Sequence, residues 1–102
     1  VSAEFDRSKS TALAGTITKV EWTNPHAFFY VDVKDAKTGA TINWICELPS
    51  PKALAVRNWT PDSLKVGMMV SLNGTLARDG SRKVYTQSIT VNGGHLLCAT
   101  GC

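Results

Sequence analysis

The sequence predicts an all-β domain, a five-stranded OB-fold-like Greek-key barrel with one short helix between strands three and four. Three observations predict it. Most of the chain alternates apolar and polar residues with the period of two that marks half-buried strands. The alternation changes parity once, inside the first strand, as a β-bulge does where a strand bends round a barrel corner. The only helical pattern falls between the third and fourth strands. A sandwich would need more strands than 102 residues supply here.

The elements follow in order. Residues 1–10 are polar and aperiodic and read as an N-terminal arm, mobile unless Phe5 pins it. Residues 11–98 form the barrel. In strand one, Leu13, Gly15 and Ile17 share one parity and Val20 and Trp22 the other, which places a bulge near Thr18 and Lys19. Thr23-Asn24-Pro25 breaks the strand. Strand two, Ala27 to Lys34, sets Ala27, Phe29, Val31 and Val33 on one face, and Asp35 to Gly39 turns the chain. Strand three, Thr41 to Leu48, sets Ile42, Trp44, Cys46 and Leu48 inward. Ser50 suits a helix N-cap and Pro51 the first helical position, for about two turns over Lys52 to Asn58. Thr60-Pro61-Asp62 repeats that pattern on a smaller scale. Strand four is Met68 to Arg78, Asp79-Gly80-Ser81 a hairpin turn, and strand five Lys83 to Val91. Asn92-Gly93-Gly94 turns again, and His95 to Cys98 is a candidate short edge strand. Residues 99–102 are a tail that ends in a cysteine.

Charge and composition narrow the function classes. Apolar residues make up 43% and charged residues 19%, the balance of a globular domain rather than a disordered chain. There is no run of about 18 apolar residues and hence no transmembrane segment. The net charge of +3 is spread along the chain without a basic stripe, which argues for a solvated surface and against a nucleic-acid partner. The chain starts at Val1 rather than Met, the expectation being a processed or partial chain.

The most distinctive segment is Glu21-Trp22-Thr23-Asn24-Pro25-His26-Ala27-Phe28, joining strands one and two. In an OB-fold this loop lies at one mouth of the ligand-facing surface. A few polar groups among aromatics is the make-up of a small-ligand site. Trp22, Asn24, His26, Trp44 and Glu47 are therefore the candidate ligand-binding residues, with Phe28, Tyr30 and Trp59 as further flat surface. The plainer reading makes Asn24-Pro25 an ordinary turn and Trp22 and Trp44 core residues.

Metal and covalent chemistry have thinner support. His26, His95 and the Cys98 thiolate would suit copper if the fold gathered them, but structural zinc takes four ligands at tight spacing. Covalent haem needs a histidine directly after the second cysteine of its motif, and the sequence given stops at Cys102. The three cysteines cannot all pair within one chain. Cys98 with Cys102 would close a small loop if the backbone turns at Gly101, leaving Cys46 a buried thiol; Cys46 with Cys98 is the alternative. No catalytic motif is present: no G-x-S-x-G, no phosphate loop and no H-E-x-x-H. Catalytic residues are therefore none, and an enzyme is the minority reading.

The segment Ala3-Glu4-Phe5-Asp6 and the block Leu13-Ala14-Gly15-Thr16-Ile17-Thr18-Lys19-Val20-Glu21-Trp22-Thr23-Asn24-Pro25-His26 resemble a family of small exported bacterial proteins of uncharacterised function. Trp44, the Trp59 to Gly67 stretch and Gly74 extend the likeness to about Val91. The resemblance implies a cleaved signal peptide and a periplasmic or extracellular location, and implies no reaction. Two departures stand out. The histidines that open the family's mature chains are absent, and the segment Gly94 to Cys102 with its two cysteines is atypical.

Three functions compete on these residues. The first is a non-enzymatic periplasmic binding module for a small ligand or peptide. The second is a structural or accessory subunit of an envelope or extracellular assembly, with a protein partner or further copies of itself. The third is a copper or other metal carrier.

Overall fold

In the computed structural model, residues 3–100 and 102 are described. The first strand, β1 (Phe5–Glu21), is by far the longest, because two different neighbours share it. Its first part pairs with β4 (Met69–Ala77), from Phe5 opposite Ala77 to Thr16 opposite Met69. Its second part pairs with β2 (Phe28–Lys34), from Thr16 opposite Asp32 to Glu21 opposite Phe28. Between Ile17 and Lys19 the register slips, as the parity switch requires: Ile17 is buried, and Val20 and Trp22 resume the inward face one residue out of step. The strand bends there from one half of the sheet to the other.

β2 pairs antiparallel with β3 (Thr41–Glu47), and β4 with β5 (Lys83–Val91). The ring closes where β3 runs parallel to β5, with Ile45, Cys46 and Glu47 opposite Lys83, Val84 and Tyr85. A sixth strand, β6 (His95–Cys98), adds to the edge of β5. The predicted five-stranded barrel is thus a closed ring of five with that short strand added outside it.

One expected boundary is corrected. The arm read over residues 1–10 is strand from Phe5 onward; Val1, Ser2 and the turn expected at Gly101 lie outside the described residues. The stretch Asp6-Arg7-Ser8-Lys9-Ser10 has no apolar alternation because its side chains face solvent, while its ends are held by β4. Phe5 is 2% exposed, and the Arg78 amide donates to the Glu4 carbonyl at 2.8 Å.

The interior is built from the residues with inward parity. Phe29, Val31, Cys46, Leu72, Val84 and Ile89 meet there with Ile17. The helix α1 (Pro51–Val56) closes the end of the barrel near the β1–β2 loop, burying Leu54. Ser50 caps it, its hydroxyl accepting from the Ala53 amide at 3.2 Å, and Pro51 opens it. Trp59 and Leu64, in the following turns, fill the same end. Gly15 faces the Asp32 carbonyl so closely that any Cβ there would overlap it.

Candidate functional site

The segment between β1 and β2 is held by a side-chain hydrogen bond within the loop and by backbone bonds at Ala27. Thr23 donates its hydroxyl to the His26 carbonyl at 2.9 Å, and the Asn24–Pro25 peptide is cis. The Leu48 amide donates to the Ala27 carbonyl at 2.8 Å, and the Ala27 amide donates to the Pro49 carbonyl at 3.2 Å. These bonds lay the loop against the end of β3 and carry the His26 ring over it.

There His26 Nδ1 lies 2.8 Å from the Leu48 carbonyl oxygen and 3.3 Å from Glu47 Oε2. A carbonyl only accepts, so Nδ1 carries the proton and donates. The ring is thereby oriented, and Nε2 is the nitrogen directed away from these partners. The His26 side chain is 39% exposed, so a ligand can reach it.

Glu47 has the parity opposite to Cys46 and Leu48, which puts it on the outside of the barrel, yet it is only 8% exposed. A carboxylate so placed needs a charged partner. Lys83 provides one across the parallel β3–β5 seam, with Nζ 3.4 Å from Glu47 Oε1. The same Nζ lies 2.7 Å from Glu4 Oε2, from the segment just before β1. The hydrogen bond to Glu4, helped by the charges of Glu4 and Glu47 and opposed by burial, raises the Lys83 pKa above its ordinary value. Aromatic rings wall this cluster. Phe5 and Tyr85 have ring centroids 5.4 Å apart, and Lys83 Nζ sits 5.9 Å from the Phe5 ring and 5.8 Å from that of Phe28. Tyr85 stands edge-on to His26 at 6.4 Å. Burial, and next the charge of Glu47, push its phenol up.

The rest of this outer face pairs within itself. Tyr30 donates to Glu21 at 2.8 Å, Lys19 lies 3.4 Å from Glu21, and Asn43 bonds Asp32 at 2.8 Å. The hydrogen bond from Tyr30 holds the Glu21 carboxyl below the usual range.

Of the five candidate ligand residues, the fold joins two, His26 and Glu47. Trp22 is half-buried and packs on the core below the same loop, and Asn24 is exposed at its tip. Trp44 is elsewhere. It has inward parity on β3, opposite to Glu47, and lies toward the other end of the barrel, beside the β2–β3 turn. Trp59 offers no free surface: it is 3% exposed and its Nε1 donates to the Cys98 carbonyl at 2.9 Å. Sequence reading missed Glu4, Phe5, Lys83 and Tyr85. The one signal for the last two was the outward parity of β5 at the strand that closes an OB barrel on β3.

The metal candidates do not converge. Cys98 is bonded to Cys102, which removes its thiolate, and among the described residues no three His, Cys, Asp or Glu side chains form a metal-sized group. Cys46 is buried and free, its thiol pushed up to about 12 by that burial.

This closed β-ring with a helix plugging one end is that of an OB-fold protein. The solved structure of the mitochondrial single-stranded DNA binding protein Rim1 of S. cerevisiae superposes with a TM-score of 0.62, over 89% of this chain and 98% of that one, at 10% sequence identity. No curated protein matches. Residues 1–86 match the model of the family of unknown function DUF6152, and the chain belongs to that family.

Proposed function

We propose that this chain is a non-enzymatic, exported binding module that holds a small ligand or peptide at the β1–β2 loop. The observation that carries the reading is the His26 ring, partly exposed, oriented through Nδ1 by the Leu48 carbonyl and Glu47, with Tyr85 edge-on beside it. Such an imidazole accepts one hydrogen bond in a fixed direction, and the ring beside it offers apolar contact. Export is supported by the Cys98–Cys102 disulfide, a bond that persists in oxidising compartments.

The single-stranded DNA binding named for the structural neighbour is not carried over. The cations Lys19 on β1 and Lys83 on β5, which border the outer face of β2 and β3, are each engaged by carboxylates, so the electrostatic track that such binding needs is interrupted there.

Native mass spectrometry of the protein purified from its own host tests the reading. A monomer with extra mass that denaturation releases is expected, and His26→Ala or Trp22→Ala should lose that mass while the fold persists. Unchanged cargo in both folded variants would overturn the site. A cargo-free, reductant-sensitive multimer would instead favour an assembly subunit, for which the exposed Leu96 on edge strand β6 is the supporting feature.

A further inference from the structure

Trp44 stands apart from the loop site, and its surroundings have a chemistry of their own. Trp44 borders an open groove of about 380 Å³ that is also lined by Leu13, Val33, Ile42, Lys37 and Arg82. Trp44 also borders a smaller cleft of about 150 Å³, lined by Lys9, Arg78 and Arg82 among others. Arg82 belongs to both, with its guanidinium carbon 5.8 Å from the Trp44 ring. Four cations thus line the two spaces that meet at Trp44, and Arg82 is the one over its ring.

The carboxylates nearby are already engaged. Asp35, the one acid lining either space, accepts from the Lys37 and Thr38 amides at 2.7 and 3.1 Å. Asp79 accepts from the Ser81 amide, and Asp6 from the Ser8 amide and hydroxyl. Those bonds close local turns while the three carboxylates keep their charge, and that of Asp6 also acts on Arg78 and Lys9, so the four cations outnumber these acids by one. A planar guanidinium over an indole, next to apolar walls, matches a molecule with a flat apolar body and an anionic head.

We propose that the Trp44 groove is a second binding site, for a small amphipathic anion. Its body stacks on Trp44 among Leu13, Val33 and Ile42, and its carboxylate, sulfonate or phosphate meets Arg82 with support from Arg78 or Lys9. The groove lies within the volume range of small-molecule sites, and one rigid aromatic wall and a convergent charge give it selectivity for anions over neutral isosteres. The site shares no residue with the His26 cluster and stands or falls without it.

The test is a ¹⁵N–¹H NMR titration of the full chain with 1-naphthoate and, separately, the neutral 1-naphthamide. Saturable shifts are expected at Leu13, Val33, Ile42, the Trp44 indole and Arg82, with the carboxylate binding about tenfold tighter than the amide and weakening as salt rises. Arg82→Gln, at an exposed position, should keep the fold and remove most of that preference; Arg78→Gln should remove less. His26→Ala should leave the titration unchanged. Equal affinity for acid and amide, shifts centred on His26, or no saturation would each overturn the proposal. So would displacement of naphthoate by a short oligothymidylate that binds more tightly, since the groove would then be a nucleic-acid surface.

Discussion

Replacing Phe5 with Ala tests whether the first residues belong to the barrel. Phe5 does not sit in the interior; it covers the outer face, its ring against Tyr85 and beneath the Lys83 ammonium, and is 2% exposed. Truncating a buried Phe to Ala costs about 3–5 kcal/mol, and a site that opens to solvent on relaxation belongs at the low end of that range, about 3 kcal/mol. For a domain of this size that corresponds to a fall in Tm of roughly 12–24 °C. Equilibrium urea unfolding gives the energy, and hydrogen exchange gives its location. The Arg78 amide, which donates to Glu4, should exchange much faster in the variant than the amides of Leu72 and Ile89 in the core. A loss below about 1 kcal/mol, with the Arg78 amide still protected, would refute the reasoning and return residues 5–10 to the status of a loose arm.

Gly15→Ala should cost about 3 kcal/mol or more in urea denaturation, because the new methyl must displace the Asp32 backbone rather than a side chain. Removing the disulfide with Cys98→Ser and Cys102→Ser should cost at most about 2 kcal/mol, since the loop it closes is short, and the same measurement on reduced wild type should agree. Stability should also fall on the alkaline side. The Cys46 pKa is raised from 9.0 to about 12 by burial, so its contribution is complete below pH 9 and is lost as pH rises through 12. Urea midpoints measured from pH 8 to 10 should therefore decline in wild type and less in Cys46→Val. Tyr30 and Lys83 titrate higher in the fold than in the unfolded chain and add to the fall only above about pH 10.

The bulge in β1 was legible because burial enforces parity. Once Ile17 and Val20 must both face inward, an extra residue between them is unavoidable. The helix was legible from Ser50 and Pro51 for the same local reason. The start of β1 was not legible. The stretch Asp6 to Ser10 is held at its ends, where Phe5 and Ser10 pair with β4 across an irregular register, and main-chain pairing leaves no mark in side-chain pattern. The site was half legible. His26 and Glu47 stood out as polar residues in aromatic surroundings. That Lys83 and Glu4 join them depends on a parallel pairing between β3 and β5, which no local pattern encodes. The separation of Trp44 from Glu47 was legible in the alternation of strand three: the two are close in sequence but have opposite parity, so one β3 serves two separate surfaces.

The β3–β5 pairing has only three register pairs, against seven for β2 with β3. It is the shortest ladder in the ring, and so the place where the cylinder comes apart with the least loss of main-chain bonding. Lys83 straddles that join, tied to Glu47 on the far strand and to Glu4 on the entering chain. A single ammonium therefore acts as a latch, and the carboxylate it fastens is the one that also steadies the imidazole of His26. Unfastening it would loosen the imidazole, the lead-in to β1 and the closure of the cylinder together.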